Sequence, residues 1–210
     1  MTKPSRFHRT LTPNPSPGGR GAFTEQDLKT EDIRIETERL ILRLPQVGDF
    51  ERYAELHAHE EAMRFLGGPI SRHAAWRKFL QMPGAWAVQG FAMFSVVDKA
   101  SGRWLGFLGP WRPDGWPGNE VGYVFHPDAW GNGYVVEAGV AAIDWAFANL
   151  GWEQVIHCIA PDNLPSQKVA QRLGSTNQGP VRLPPPLDDH AVEMWGQTRE
   201  QWQANRKHFA

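Results

Sequence analysis

Cysteine is almost absent from this chain: Cys158 is the single one in 210 residues. That excludes an intramolecular disulfide framework and fits a reducing compartment. Its place on a strand-like run reads as a small buried hydrophobe. Net charge is also nearly absent, at −1. Acids and bases are mixed along the chain, so nothing argues for nucleic acid as the main partner. No apolar run approaches the ~18 residues of a membrane span. A cytoplasmic chain is expected, without a membrane partner and without a metal. No internal repeat is visible.

What is present is enough apolar residue for one core, 41% of the chain, as expected of one domain or one domain with a tail. Residues 1 to 30 differ from the rest. Pro4, Pro13, Pro15, Pro17, Gly18, Gly19 and Gly21 leave little room for regular structure. Lys3, Arg6, Arg9 and Arg20 precede any acid, a mark of transit peptides, but the prolines argue against the amphipathic helix such a peptide needs. The segment reads as a disordered tail without a catalytic role, and residues 31 to 210 as the domain.

The ordered part reads as strand, two helices, three strands, helix, strand, helix, two strands. Leu40, Ile41, Leu42 and Leu44 give the first strand. Helical spacing predicts helices over Asp49–His57 and near Ser71–Gln81, the second with a Ser71 cap and with Ala75, Phe79 and Leu80 on one side. Phe91–Asp98 and Trp104–Gly109 form a hairpin about a turn at Lys99 to Gly102. Glu120–Phe125 is the next strand. A long helix follows over Gly133–Leu150; its small residues Ala138, Gly139, Ala141 and Ala142 would let it lie close to a sheet. Gln154–Ile159 is a strand, and a helix runs from Asn163 to Gly174. Pro184, Pro185 and Pro186 sit in a loop between the last two strands, the final one being Ala191–Trp195. Thr198–His208 is a terminal helix with a Thr cap. Tryptophan is frequent, ten in all. Trp104, Trp111 and Trp116 cluster with Pro110, Pro113 and Pro117, as a structural loop or as the lip of an acceptor pocket.

The most informative stretch runs His126-Pro127-Asp128-Ala129-Trp130-Gly131-Asn132-Gly133-Tyr134, with Glu137-Ala138 behind it. It lies between a strand and a helix. Two glycines one residue apart let backbone approach a bulky ligand. The helix start behind them offers free N–H groups and a positive dipole end, an anion site of the kind that holds phosphates.

This stretch resembles the acetyl-CoA loop of the GNAT N-acetyltransferases, and the surrounding words are similar to the RimJ/RimL-type branch of that superfamily. Glu36-Thr37-Glu38-Arg39-Leu40-Ile41-Leu42-Arg43 resembles the family's first strand, and Glu120-Val121-Gly122-Tyr123-Val124-Phe125 its fourth. Asn163-Leu164-Pro165-Ser166, continuing to Arg172-Leu173-Gly174, resembles the start and end of a later helix. The four words stand in the family's order over roughly residues 35 to 205. The resemblance implies an α/β (α+β) fold with a mixed, mostly antiparallel central sheet flanked by helices. It implies acetyl transfer from acetyl-CoA to an amine, either a small molecule or a protein N-terminus, by a monomer or homodimer.

On the residues, the resemblance implies that the pyrophosphate falls to the amides of Gly131, Asn132, Gly133, Tyr134 and Val135, with Trp130 also at the cofactor site. The pantetheine arm would pair with the strand edge at Val124 and Phe125, where a backbone N–H would meet the thioester oxygen. Asn163 and Ser166 would reach the arm, or serve as helix caps. Strand alternation places Glu120, Gly122 and Val124 on one face and makes Glu120 the candidate general base, against a plain surface charge at a strand end. His126 and His157 read as structural. The acceptor is expected between the first two helices and the loops around 109 to 118 and 184 to 190.

Two positions depart from the family pattern. Asp128 stands where Gln or Arg is frequent, which leaves the phosphates to backbone amides. Ala170 stands where many members carry a Tyr general acid, so the leaving thiolate has no evident proton donor. That second departure sustains a rival reading, a non-catalytic acyl-CoA-binding sensor. A dinucleotide enzyme is a weaker rival, because Val136 stands where its third Gly would fall and the P-loop Lys is missing.

Overall fold

The computed structural model describes residues 33–209, so the expected tail lies outside the described residues. In chain order the strands are β1 (Arg34–Glu36), β2 (Leu40–Arg43), β3 (Phe94–Asp98), β4 (Trp104–Trp111), β5 (Glu120–Phe125), β6 (Gln154–Ile159), β7 (Thr176–Val181) and β8 (Val192–Thr198). The helices are α1 (Phe50–Ala58), α2 (Glu60–Met63), α3 (Arg72–Phe79), α4 (Gln81–Gln89), α5 (Tyr134–Asn149), α6 (Leu164–Arg172) and α7 (Arg199–Asn205). All eight strands join one sheet in the order β1-β2-β3-β4-β5-β6-β8-β7. Every neighbouring pair is antiparallel except β5 and β6, which run parallel. The mixed, mostly antiparallel sheet flanked by helices is the architecture expected above.

Successive residues of β4 divide the core. Phe107 faces α1, where it meets Tyr53 at 5.4 Å between ring centroids. Leu108 faces the other way and is the cross-strand partner of Phe94, whose ring meets Trp145 of α5 at 5.3 Å. α5 lies against the sheet, where Trp145 meets Phe94, and its small residues also let the end of α6 approach. A Cβ on Gly139 would lie only 3.0 Å from Leu173 at the end of α6.

Several elements differ from the expectation. β1 holds one apolar residue among three, too few for alternation to register. The helix expected over 71–81 is two helices. α3 ends at Phe79, and α4 continues with Pro83 in its first turn, where the missing amide has no intrahelical partner to lose. Leu80 falls at the junction and is exposed rather than inward-facing. The Ser71 cap does form, accepting from the Ala74 amide. Trp104 is no pocket lip: it is buried in β4 and donates its indole N–H to Ser95 at 3.1 Å. Thr198 caps α7 in a full capping box with Gln201.

A buried polar network fixes the start of α1 against the sheet. Asp49 accepts two bonds from Arg43, at 2.8 and 2.7 Å, and one from Ser95 at 2.7 Å. Trp104 completes the chain by donating to Ser95.

His57 supplies an internal pH response. Its ring is buried between Tyr53 and Phe107, with Nδ1 against the Tyr53 carbonyl at 3.0 Å, and Nε2 has no partner. Burial is the main cause that pulls its pKa down to about 4. The unfolded chain therefore binds a proton first, at its ordinary value near 6.5, and stability contributed by the neutral ring is lost as pH falls from there toward 4. Urea melts at pH 7 and pH 5 should show this loss, about 1–2 kcal/mol from His57 alone. His57→Phe should lack that share of the slope; an unchanged slope would overturn the assignment.

Candidate active site

The sheet opens where β5 and β6 part. Their register holds only at Glu120 opposite Ile156, with the Ile156 amide donating to the Asn119 carbonyl at 2.9 Å. Alternation then decides which β5 groups face the opening. The His126 amide donates to Leu105 on β4 at 2.8 Å, so the Val124 amide two residues earlier also points to β4. The amides of Tyr123 and Phe125 point away from β4, toward the gap. The Trp130 indole donates to the Phe125 carbonyl at 2.9 Å, so of the two amides facing the gap that of Phe125 lies nearer the glycine loop.

Glu120 stands at the head of the opening. Phe107 is the cross-strand partner of Val124, and Trp111 that of Glu120, so Glu120, Gly122 and Val124 share the α1 face with Phe107. Glu120 is 7% exposed, so it is not a surface charge. Its Oε2 accepts the Trp116 indole N–H at 2.6 Å, and Oε1 accepts the Cys158 amide at 3.2 Å. Burial pushes the carboxyl up to about 7, against the hydrogen bonds from the Cys158 amide, Trp116 and the Cys158 thiol. A carboxylate that titrates near neutral pH is suited to take up a proton there. Cys158 itself is half-buried on β6, with its thiol pushed up by burial first and then by the Glu120 charge.

The glycine loop lies beyond the far end of β5. Gly131 and Gly133 both have φ +76, in the left-handed region where a side chain is strained. A Cβ on Gly131 would meet nothing within 4 Å. Gly133 caps α5 without a side-chain bond, and Val136 and Glu137 donate back to its carbonyl. Among the described residues no acceptor meets the amides of 131 to 135. They leave free donors at the start of a sixteen-residue helix, a place that suits an anion. Asn132 turns its side chain inward to the Ala129 and Trp130 carbonyls. Trp130 is exposed, and Tyr134 half-buried.

Asp128, the first departure, is explained by a neighbour on α1. Arg52 bonds both of its oxygens, at 2.9 and 2.8 Å, and Arg103 approaches to 3.1 Å. The acid thus anchors the loop to α1. His126 joins this cluster through Asp128 and is structural.

Arg39 escaped the sequence reading as a site residue. Its backbone amide and Nε bond the two oxygens of Glu137, at 2.8 and 2.7 Å, and one guanidinium nitrogen donates to the Asn132 carbonyl at 3.0 Å. The guanidinium also lies 4.7 Å from the Tyr134 ring centroid. The start of β2 thereby holds both the glycine loop and the first turn of α5. Arg39→Ala should weaken CoA binding by about 3- to 10-fold, the loss of one charge-assisted bond at a partly exposed site. Isothermal titration would measure it; unchanged affinity would make Arg39 a surface residue.

On the opposite face of β5, Tyr123 donates its hydroxyl to the Ser166 carbonyl at 2.9 Å and ties α6 to β5. Alternation along β5 could have marked it, but no motif did. Asn163 is the helix cap, accepting the Ser166 amide at 3.2 Å. Its side chain and that of Ser166 stay partly exposed beside the opening. Ala170 is fully buried against Ile159 and Trp195, so no donor stands at that position. His157 is buried, with Nδ1 on the Val121 carbonyl at 2.7 Å, and burial draws its pKa down to about 4. Among the described residues no cluster of His, Cys, Asp and Glu is arranged to hold a metal ion, and no helix is long and apolar enough to cross a membrane.

Known proteins resemble this chain in sequence and fold. The family model of the acetyltransferase (GNAT) domain matches residues 39–176. An uncharacterised N-acetyltransferase, p20, of Bacillus licheniformis is 28% identical over 70% of this chain and 84% of its own. A crystal structure of an acetyltransferase from Agrobacterium tumefaciens is 26% identical, with a TM-score of 0.71 over 83% of this chain and 99% of that one. The spermidine N-acetyltransferase of Vibrio cholerae, solved with CoA and spermine, shares the fold at 14% identity, with a TM-score of 0.64 over 80% of this chain and 99% of that one. With the glycine loop, the parted strands and a domain match over most of the described residues, this chain belongs to the GNAT acetyltransferase family.

Proposed function

We propose that this protein is an N-acetyltransferase of the RimJ/RimL-type branch that moves the acetyl group of acetyl-CoA to an amine, with Glu120 as the general base. The observation that carries this reading is the buried Glu120 carboxyl, raised to about 7, at the point where β5 and β6 part. A protein of the same fold solved with CoA and spermine supports a CoA donor and an amine acceptor.

Acetyl-CoA supplies the activated acetyl thioester. The amides of residues 131–135, Trp130 and Tyr134 would hold its phosphates, and Asn163 and Ser166 its pantetheine arm. The Phe125 N–H is the one-donor oxyanion group, since the Val124 N–H is turned to β4 and Val124 lines the α1 face instead. Glu120 takes the proton released by the attacking amine, directly or through water. The carbon–sulfur bond breaks, and with Ala170 buried the thiolate takes its proton from solvent. The acceptor, a protein α-amine or a small amine, would enter on the α1 face between α1, α3 and the loops on either side of Trp111 and Pro184.

Release of free thiol from acetyl-CoA, screened over N-terminal peptides and small amines, tests the reading. Amine-dependent release is expected. Tight CoA binding with no release for any amine would favour the acyl-CoA sensor, to which the buried Ala170 lends weight.

A further inference from the structure

The loop between β4 and β5 carries a feature that the proposed chemistry does not use. Trp116 closes a turn by donating its amide to the Pro113 carbonyl at 3.1 Å, just after Gly115 at φ +74. The loop is wedged on two sides. A Cβ on Gly115 would lie 3.3 Å from Pro184 of the β7–β8 loop, and one on Gly118 would lie 3.0 Å from Ile156, the β6 residue opposite Glu120. From this seat the indole reaches Glu120 at 2.6 Å while the Cys158 amide holds the other oxygen. The carboxyl is thus gripped from both sides of the opening, once by a loop and once by a strand.

We propose that Trp116 is a positioning residue for Glu120, fixing the carboxylate in the opening through its indole N–H and holding it in the charged, proton-accepting form. This rests on the reading of Glu120 as base. A donor to a carboxylate favours the ionised state, so the bond opposes the burial that pushes Glu120 toward neutrality. The other titratable groups around Glu120 do not change their charge near neutral pH. The Cys158 thiol and the Tyr123 phenol are both held up by burial, and His157 is held down near 4, so all three are neutral between pH 5 and 9. An ionisation seen in that window at this site belongs to Glu120.

The test is the pH profile of turnover, set beside a titration of the Glu120 carboxyl by carbon-13 NMR in the protein without substrate. Trp116→Phe keeps an aromatic ring and removes the donor. The acid limb and the carboxyl titration should both move up by about one pH unit. The alkaline plateau should fall by no more than about twofold, and CoA affinity should stay at the wild-type value. A limb and titration left in place, with only the KM for the amine changed, would make Trp116 an acceptor-lining residue and overturn the proposal. The wild-type protein gives an independent reading if the variant folds poorly. One indole N–H resonance should titrate with the carboxyl's midpoint and lose that titration in Glu120→Gln; no such resonance would also overturn the proposal. The base reading fails separately. If Glu120→Gln keeps wild-type turnover and its acid limb, Glu120 is not the base, while the carboxyl and indole titrations still decide whether Trp116 controls its ionisation.

Discussion

Glu120→Gln should lower turnover by ~10²–10⁴-fold at neutral pH, the usual contribution of general base catalysis. The isosteric amide keeps the site's shape and can still meet Trp116, but it accepts no proton. CoA affinity should barely move, because the glycine loop lies at the far end of β5. The pH dependence carries the argument. The wild-type rate should rise with pH through about 7 as the carboxyl ionises. The deficit of the variant should then shrink at alkaline pH, where more amine is already neutral. An equal deficit at every pH would indicate positioning rather than proton transfer. Wild-type turnover at neutral pH would remove Glu120 from the chemistry.

Gly133→Val should reduce CoA affinity by roughly 100-fold, equivalent to losing one or two charge-assisted amide bonds to the phosphates. The backbone at this position has φ +76, which a β-branched residue adopts only under strain. Relaxing that strain turns the loop amides, and a side chain there would crowd the Arg39 guanidinium, 3.7 Å from a Cβ at this position, which holds the loop. Folding stability should fall by only about 1–2 kcal/mol, the cost of a left-handed residue. CoA titration beside thermal melting separates the two effects. Affinity that survives would place the pyrophosphate elsewhere.

The places of the glycine loop and of Glu120 in the fold are legible in the sequence because each depends on local order. A Gly-x-Gly between a strand and a helix announces a cradle, and alternation alone puts Glu120 on the face of Val124. The resemblance supplied the order of the pieces. What could not be read depends on distance or direction. Arg39 meets Glu137 across 98 residues of sequence, and neither side chain is unusual in its own neighbourhood. Trp116 reads from the sequence as part of a structural loop or of a pocket lip; that the turn at Pro113 and the contact with Pro184 aim its N–H at Glu120 depends on packing between distant segments. α4 was hidden because Pro83 and Gly84 look like a break, although a proline in a first helical turn costs little. Asp128 departs from the family pattern, and the role it has here, pairing with Arg52 and Arg103, joins segments far apart in sequence.

The single bridge between β5 and β6 has a consequence for the molecule as a whole. A sheet is ordinarily most cooperative at its centre, yet here the centre is a seam. Strands β1 to β5 form one leaf and β6, β8 and β7 another, with one paired position between them along the backbone. On the proposed function, the pantetheine arm is the missing rung, so that the donor completes the ladder as well as reacting in it. Donor binding then counts twice, as substrate recognition and as the last piece of folding, and the protein's resistance to unfolding rises and falls with the supply of the molecule it consumes.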